Sequence, residues 1–235
     1  MGLTYDAASH ILGITETGFS SKGFSYDPLG RLTNFTTGTD STTLAYDANG
    51  NRLQSTATAG ATSYTYPATN NRLTKRSGVV NETNTYDATG NLIKTGSRIY
   101  SYDARGRMTQ AQIGTVTTAY GINGLGQRVS KNGESGATEF AYDEAGHLLG
   151  EYDASGNAIE ETVWLGDIPV AVLTGTGASA AVYYVNANQL NAPRIITDKN
   201  GKRVWNWDPL AFGNTKPNQN PSNLGTFVYT NLRVG

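Results

Sequence analysis

Cysteine is absent from the 235 residues, histidine and methionine occur twice each, and only 16% of residues are charged. Without thiols there are no disulfides and no thiolate chemistry, a composition compatible with either redox compartment. His10 and His147, with no cysteine to help them, do not form a metal constellation, and both read as solvated turn or strand residues. The formal net charge of −1 lacks the electrostatic footprint of a nucleic-acid binder, and the densest basic spot, Lys75-Arg76, is only a pair. Long apolar runs are missing too. The longest weakly polar stretch, residues 168–185, is interrupted by Thr174-Gly175-Thr176-Gly177 and reads as two strands around a turn rather than a membrane span. No secretory leader is visible, because Met1-Gly2-Leu3-Thr4-Tyr5-Asp6 passes straight into the pattern described next. That start is expected of a fragment or a processed piece.

What the chain does have is glycine (28 residues), tyrosine (14 residues) and many Thr, Asn and Ser. Strands favour β-branched and aromatic residues, and turns consume Gly, Asn and Asp, so this mixture predicts an all-β chain of short strands and tight turns. A repeat organises it. The unit reads aromatic, Asp, two variable residues, Gly, then an apolar residue. It appears as Tyr26-Asp27-Pro28-Leu29-Gly30, Tyr46-Asp47-Ala48-Asn49-Gly50, Tyr86-Asp87-Ala88-Thr89-Gly90 and Tyr102-Asp103-Ala104-Arg105-Gly106. Two more copies are Tyr142-Asp143 with Gly146 and Tyr152-Asp153 with Gly156, and degenerate copies begin at Tyr5, Tyr66 and Tyr120. Nine of the fourteen tyrosines take this one place, which excludes coincidence.

Asp at the first turn position and Gly at the fourth are type I preferences. The Asp carboxylate can accept a backbone N–H two residues on, and Gly supplies the left-handed residue of a longer hairpin loop. Each unit is therefore a hairpin, with second turns at Thr37-Gly38-Thr39-Asp40 and Gly133-Glu134-Ser135-Gly136. A single hairpin is marginal in water, so neighbours must pair edge to edge and stack their tyrosines in a row. Such cross-strand pairs are each worth about 0.2–1 kcal/mol.

Other motifs reduce to turns. Asp47-Ala48-Asn49-Gly50-Asn51 and Asp198-Lys199-Asn200-Gly201 lack the Gly and Glu spacing of a helix–loop–helix calcium site. Gly121-Ile122-Asn123-Gly124-Leu125-Gly126 has the wrong spacing for a dinucleotide loop and reads as a degenerate hairpin turn. Glu160, Glu161 and Asp167 could be paired hydrolytic carboxylates, but Glu160 and Glu161 point to opposite strand faces. A solvated face plus a turn aspartate is the expectation there. Trp164, Trp205 and Trp207 read either as core where the sheet curls or as an aromatic platform for sugars or a partner, with Trp205 and Trp207 on the same strand face. No catalytic, cofactor or metal residue is assigned, and an enzyme is not expected.

With these residues in view, the chain resembles the Rhs or YD-repeat family over nearly its whole length. The resemblance is strengthened by Trp164-Leu165-Gly166-Asp167-Ile168-Pro169, by Pro193-Arg194-Ile195-Ile196-Thr197-Asp198 with Gly201, by Val204-Trp205 and by Ala211-Phe212-Gly213. Asn231-Leu232-Arg233 is similar to the entry of that family's C-terminal core motif. The resemblance implies a YD-repeat array over residues 1–160 and a core-like β segment over 161–235. It implies a curved, spiralling β-ribbon that encloses a toxin domain in bacterial antagonism systems and insecticidal toxin complexes. The protein is then secreted or at the bacterial cell surface, exported without a signal peptide visible in this chain.

Where many relatives place a strand bearing His, Asp and His, this chain has Tyr183-Tyr184-Val185-Asn186-Ala187-Asn188-Gln189, so nothing resting on those residues is carried over. The self-cleaving Asp-Pro segment and the toxin domain are not among the 235 residues, and no residue is assigned to either.

Roughly 20–24 strands at about 4.8 Å make a ribbon of about 100–115 Å, or a ring about 35 Å across. A toxin of about 100 residues is itself roughly 33 Å wide. The chain is thus expected to be a wall segment whose partners are the rest of a larger shell, another repeat chain and the enclosed toxin. The alternative is an adhesin fragment that binds carbohydrate or a partner surface.

Overall fold

The computed structural model of the protein describes residues 1–213, 215–224, 228, 230 and 232. Asn231 and Arg233 of the expected core-motif entry lie outside the described residues. The chain forms two compact units, Met1–Tyr100 and Ser101–Gly235. The boundary expected at 160/161 falls inside the second unit. Secondary structure among the described residues is all β, apart from one 3₁₀ turn at Gly177–Ser179.

In the first unit the strands are β1 (Gly2–Tyr5), β2 (Ile11–Thr15), β3 (Lys22–Tyr26), β4 (Leu32–Thr37) and β5 (Asp40–Tyr46). They continue as β6 (Arg52–Ala57), β7 (Gly60–Thr65), β8 (Lys75–Gly78), β9 (Glu82–Tyr86) and β10 (Leu92–Thr95). β11 (Arg98–Tyr102) carries the chain into the second unit. There follow β12 (Met108–Ile113), β13 (Val116–Ile122), β14 (Arg128–Gly133), β15 (Gly136–Tyr142) and β16 (Leu148–Asp153). The last are β17 (Ala158–Leu165), β18 (Ile168–Thr174), β19 (Ala181–Ala187), β20 (Pro193–Thr197) and β21 (Arg203–Asn206). Within each unit the strands form an antiparallel meander in which sequence neighbours pair.

Alternation sets the faces. Along β5, Thr42, Leu44 and Tyr46 turn inward while Ser41, Thr43 and Ala45 are exposed, the period-2 signature of a half-buried strand. Phe35 and Leu44 are the buried apolar side chains of the first unit. The second unit carries a larger core made of Val172, Ala192, Ile196, Val204, Trp205, Trp207 and Val228, with Tyr183, Val185 and Leu232 packed against it.

Two kinds of turn alternate. The short one has two residues between paired strand ends, as in Thr37↔Asp40, Thr95↔Arg98 and Ile113↔Val116. Gly38, Gly96 and Gly114 sit in the left-handed region at φ 60, 57 and 61° as its first central residue, the II′ pattern that matches strand twist. The long turn is the tyrosine–aspartate motif itself. Its fourth residue also requires positive φ, met by Gly50 at 85° and, without glycine, by Ser9 at 67° and Asn191 at 58°. A Cβ on Gly50 would meet nothing within 4 Å, so a side chain there is opposed by backbone strain alone. Gly50→Val is expected to destabilise the first unit by about 1–2 kcal/mol. The check is a urea titration of the chain followed by far-UV circular dichroism, and an unchanged midpoint would contradict it.

Candidate functional site

The chemistry of this protein is concentrated in the long turn and in the way one turn grips the next. In the turn that begins at Asp27, the Asp27 N–H donates to the Arg31 carbonyl and the Gly30 N–H donates to the Asp27 carbonyl, both at 2.9 Å. One carboxylate oxygen accepts from the Leu29 and Arg31 N–H groups at 3.0 and 2.9 Å. The same backbone pair of bonds recurs in the turns that begin at Asp6, Asp47, Asp87, Asp103, Asn123, Asp143, Asp153, Asn188 and Asp198. At the preceding aromatic the ladder bulges: Ser25 faces Asn34 but Tyr26 faces Leu32, leaving Thr33 extra. Such a bulge bends the strand and re-aims the aromatic ring.

These bonds hold the aspartates ionised. Side-chain bonding to Asn91 and then Thr89 lowers the Asp87 carboxyl to about 2. Asp47 is lowered chiefly by the Asn51 side chain, and Asp27 chiefly by the Arg31 backbone N–H. The tyrosines move the other way: burial raises Tyr26, Tyr46, Tyr66 and Tyr142, which therefore remain neutral donors.

Each donor reaches one repeat back. Tyr26 Oη donates to the Ile11 carbonyl at 2.9 Å, Tyr46 to Leu32 at 2.8 Å and Tyr66 to Arg52 at 3.1 Å. Tyr86 donates to Leu73 at 2.8 Å and Tyr142 to Arg128 at 3.0 Å. Trp164 Nε1 makes the same bond to Leu148 at 3.0 Å, so Trp164 occupies the repeat's tyrosine place. Tyr46→Phe removes the donor to Leu32 and is expected to cost about 0.5–1.5 kcal/mol. Its urea midpoint, compared with that of Tyr5→Phe, checks this.

The residue just after the turn glycine reaches one repeat forward, a role that the sequence reading did not assign. Arg31 binds the Asp27 carboxylate and donates from Nη1 to the Asp47 carbonyl at 2.9 Å, with its guanidinium 5.1 Å from the Tyr46 ring centre. Arg107 repeats this with Asp103 and, at 2.7 Å, the Asn123 carbonyl. Asn51 does it with Asp47 and Asn71, each at 2.9 Å. The signal is present in the sequence as an Arg, Asn, Gln or His following the turn residue in eight of the ten turns, with Ala192 and Lys202 the exceptions, but it is hidden because the residue type changes.

Several expectations need correction. The degenerate copy placed at Tyr120 starts at Ile122: Asn123 takes the aspartate's place and accepts from the Leu125 and Gln127 N–H groups, both at 3.0 Å. Trp205 and Trp207 are 0% and 3% exposed, and Trp207 lies beyond the end of β21. Neither presents a face to a ligand, and Trp164 is engaged by Leu148 and His147, so the three do not form a platform. The histidines are not free in solvent either. His10 binds Asp6 at 2.9 Å and stacks on Tyr26, and His147 binds both Asp143 and Asp167.

Glu160 is not on a solvated face. It is 3% exposed and lies directly opposite Glu151, itself 4% exposed. Burial raises the Glu160 carboxyl to about 8. The Thr230 hydroxyl, which donates to its Oε1 at 2.9 Å, opposes the rise, and Glu151 adds to it. Glu160 Oε2 has no hydrogen-bond partner among the described residues. Glu161 faces the other way and accepts from Tyr152 Oη at 2.8 Å. Among the described residues no group of three or more His, Cys, Asp or Glu side chains could hold a metal, and no helix is long and apolar enough to cross a membrane.

Hairpins whose recurring polar groups bond to the repeat before and the repeat after define a repeat-built β structure with a structural, shell-forming role. The chain belongs to the teneurin YD-shell family, whose family model matches residues 1–161. No curated protein matches it. Among solved structures it is similar to the crystal structure of TcdB2-TccC3-Cdc42, with TM-score 0.42 and 12% identity over 90% of this chain and 18% of that one. It is also similar to the Photorhabdus luminescens Tc holotoxin pore bearing a TccC3 mutation, with TM-score 0.41 and 14% identity over 91% of this chain and 15% of that one. The chain therefore spans only 18% and 15% of those two chains.

Proposed function

We propose that this chain is a non-catalytic wall segment of a larger secreted or surface-exposed shell, and that the shell contains a toxin or effector domain. The observation that carries this reading is the two-way bonding of each repeat. Tyrosine hydroxyls reach back and the residue after the turn glycine reaches forward, so the recurring side-chain chemistry is used in holding repeat to repeat. Residues 161–235 then close the repeat region as a core-like segment, and the partners are further repeats and the enclosed domain. Export outside the cytosol follows from that role.

The test is the native polypeptide in its own cells. A mass far above that of 235 residues, together with a domain that resists protease until the shell is opened by denaturant, is the expected result. A native polypeptide of this length alone, monomeric at every concentration and protecting nothing, would overturn it.

A further inference from the structure

In the place after the turn's fourth residue the chain carries arginine at Arg31 and Arg107, amides at Asn51, Asn91, Gln127 and Asn157, and histidine at His10 and His147. His147 uses both ring nitrogens. Nδ1 lies 2.8 Å from Asp143 Oδ2 in its own turn, and Nε2 lies 2.9 Å from Asp167 Oδ1 in the β17–β18 turn. The ring stacks on Trp164 with centres 4.7 Å apart and planes at 22°. An ionised carboxylate only accepts, and a neutral imidazole has a single N–H. Two carboxylates on one ring can both be satisfied only by the imidazolium.

We propose that His147 is a protonation-operated latch between successive repeat turns, closed as imidazolium and opened on the Asp167 side when the ring loses its proton. This rests on the local geometry and holds whether or not the shell contains a toxin. The neutral ring keeps its one proton on Nδ1 and donates it to Asp143, because Asp143 is the less exposed partner, at 29% against 84% for Asp167. Asp167 then faces a lone pair and turns to water. The other groups around the ring do not replace the lost proton. Glu144 of the same turn is acidic, Trp164 is neutral, and Gln127 of the preceding turn, 3.6 Å from where a Gly146 Cβ would sit, is neutral as well.

The pH direction follows from the same contacts. Hydrogen bonding to Asp143 first, and then to Asp167, raises the His147 pKa above the ordinary 6.5. A raised histidine contributes its full stabilisation below about pH 6.5 and loses it as pH climbs through the folded value. Among the described residues His10 has Asp6 on Nδ1 and the Tyr26 ring against it, with no second carboxylate contact. The arginines at the same place do not titrate.

With only two histidines, nitrogen NMR of the histidine-labelled chain reads each ring separately. His147 is expected to carry protons on both nitrogens at pH 6 and to titrate above the ordinary histidine value of 6.5. Asp167→Asn is expected to lower the His147 titration point. Exchange protection factors at Trp164–Ile168 are expected to fall about two- to fivefold between pH 6 and 9, the range of an exposed ion pair. His147→Arg, the residue found at the equivalent Arg31 and Arg107, should remove this roughly two- to fivefold share of the pH dependence, while the fall due to Glu160 stays common to both proteins. A His147 that titrates in the ordinary histidine range, an Asp167→Asn variant that shifts nothing, or protection that falls with pH equally in wild type and His147→Arg would each overturn the latch.

Discussion

Trp205→Ala is expected to lower the stability of the second unit by about 3–5 kcal/mol. Its side chain is fully buried against a cluster that includes Val172, Ile196, Val204, Trp207 and Val228. Few large cavities in a β-sheet can collapse, because backbone ladders on both sides fix the strands. With about 2–4 °C lost per kcal/mol in a chain of this size, the melting point should drop by roughly 6–20 °C. Intrinsic fluorescence isolates the effect, since all three tryptophans, Trp164, Trp205 and Trp207, belong to the second unit. Trp164→Phe is the control: it loses one hydrogen bond to Leu148 and should cost only about 0.5–1.5 kcal/mol. A Trp205→Ala protein that melts with the wild type would mean that the indole is on the surface, and the sugar-platform reading would return.

The repeat made most of the fold legible. Tyr, Asp and Gly at fixed offsets specify a turn whose hydrogen bonds are local, and local bonds can be read from local sequence. Thr37-Gly38-Thr39-Asp40 and Gly133-Glu134-Ser135-Gly136 were legible for the same reason, and the observed registers join Thr37 to Asp40 and Gly133 to Gly136. One miss is local and the rest are non-local. The start of the degenerate copy was misplaced because Tyr120 is aromatic, whereas the turn is set by the capacity of Asn123 to accept two N–H bonds. The forward reach of Arg31, Asn51, Arg107 and His147 was invisible because its partners lie 16 to 20 residues away. Trp205, Trp207 and Glu160 were misjudged for another reason. Alternation says which residues share a face, but not whether a distant segment covers it, and Val228 and Thr230 do so here.

That cover makes Glu160 the source of the second large effect. Its carboxyl is raised from 4.5 to about 8, so between those values the folded chain keeps a proton that the unfolded chain has released. Stability must therefore fall as pH rises, by about 1.4 kcal/mol per unit for one such group, and reach its floor above the folded value. Between pH 5 and 8 this amounts to on the order of 4 kcal/mol.

Glu160→Gln removes the titration while retaining an oxygen for the Thr230 hydroxyl. The variant is expected to match the wild type near pH 5 and to exceed it progressively up to pH 8. Comparing the two proteins cancels groups remote from residue 160 that titrate alike in both, the ring of His147 included. Urea midpoints from tryptophan fluorescence at pH 5, 6, 7 and 8 give the difference directly. Parallel pH profiles would place the Glu160 carboxyl in water, and with it would go the contact that seats Thr230 against β17.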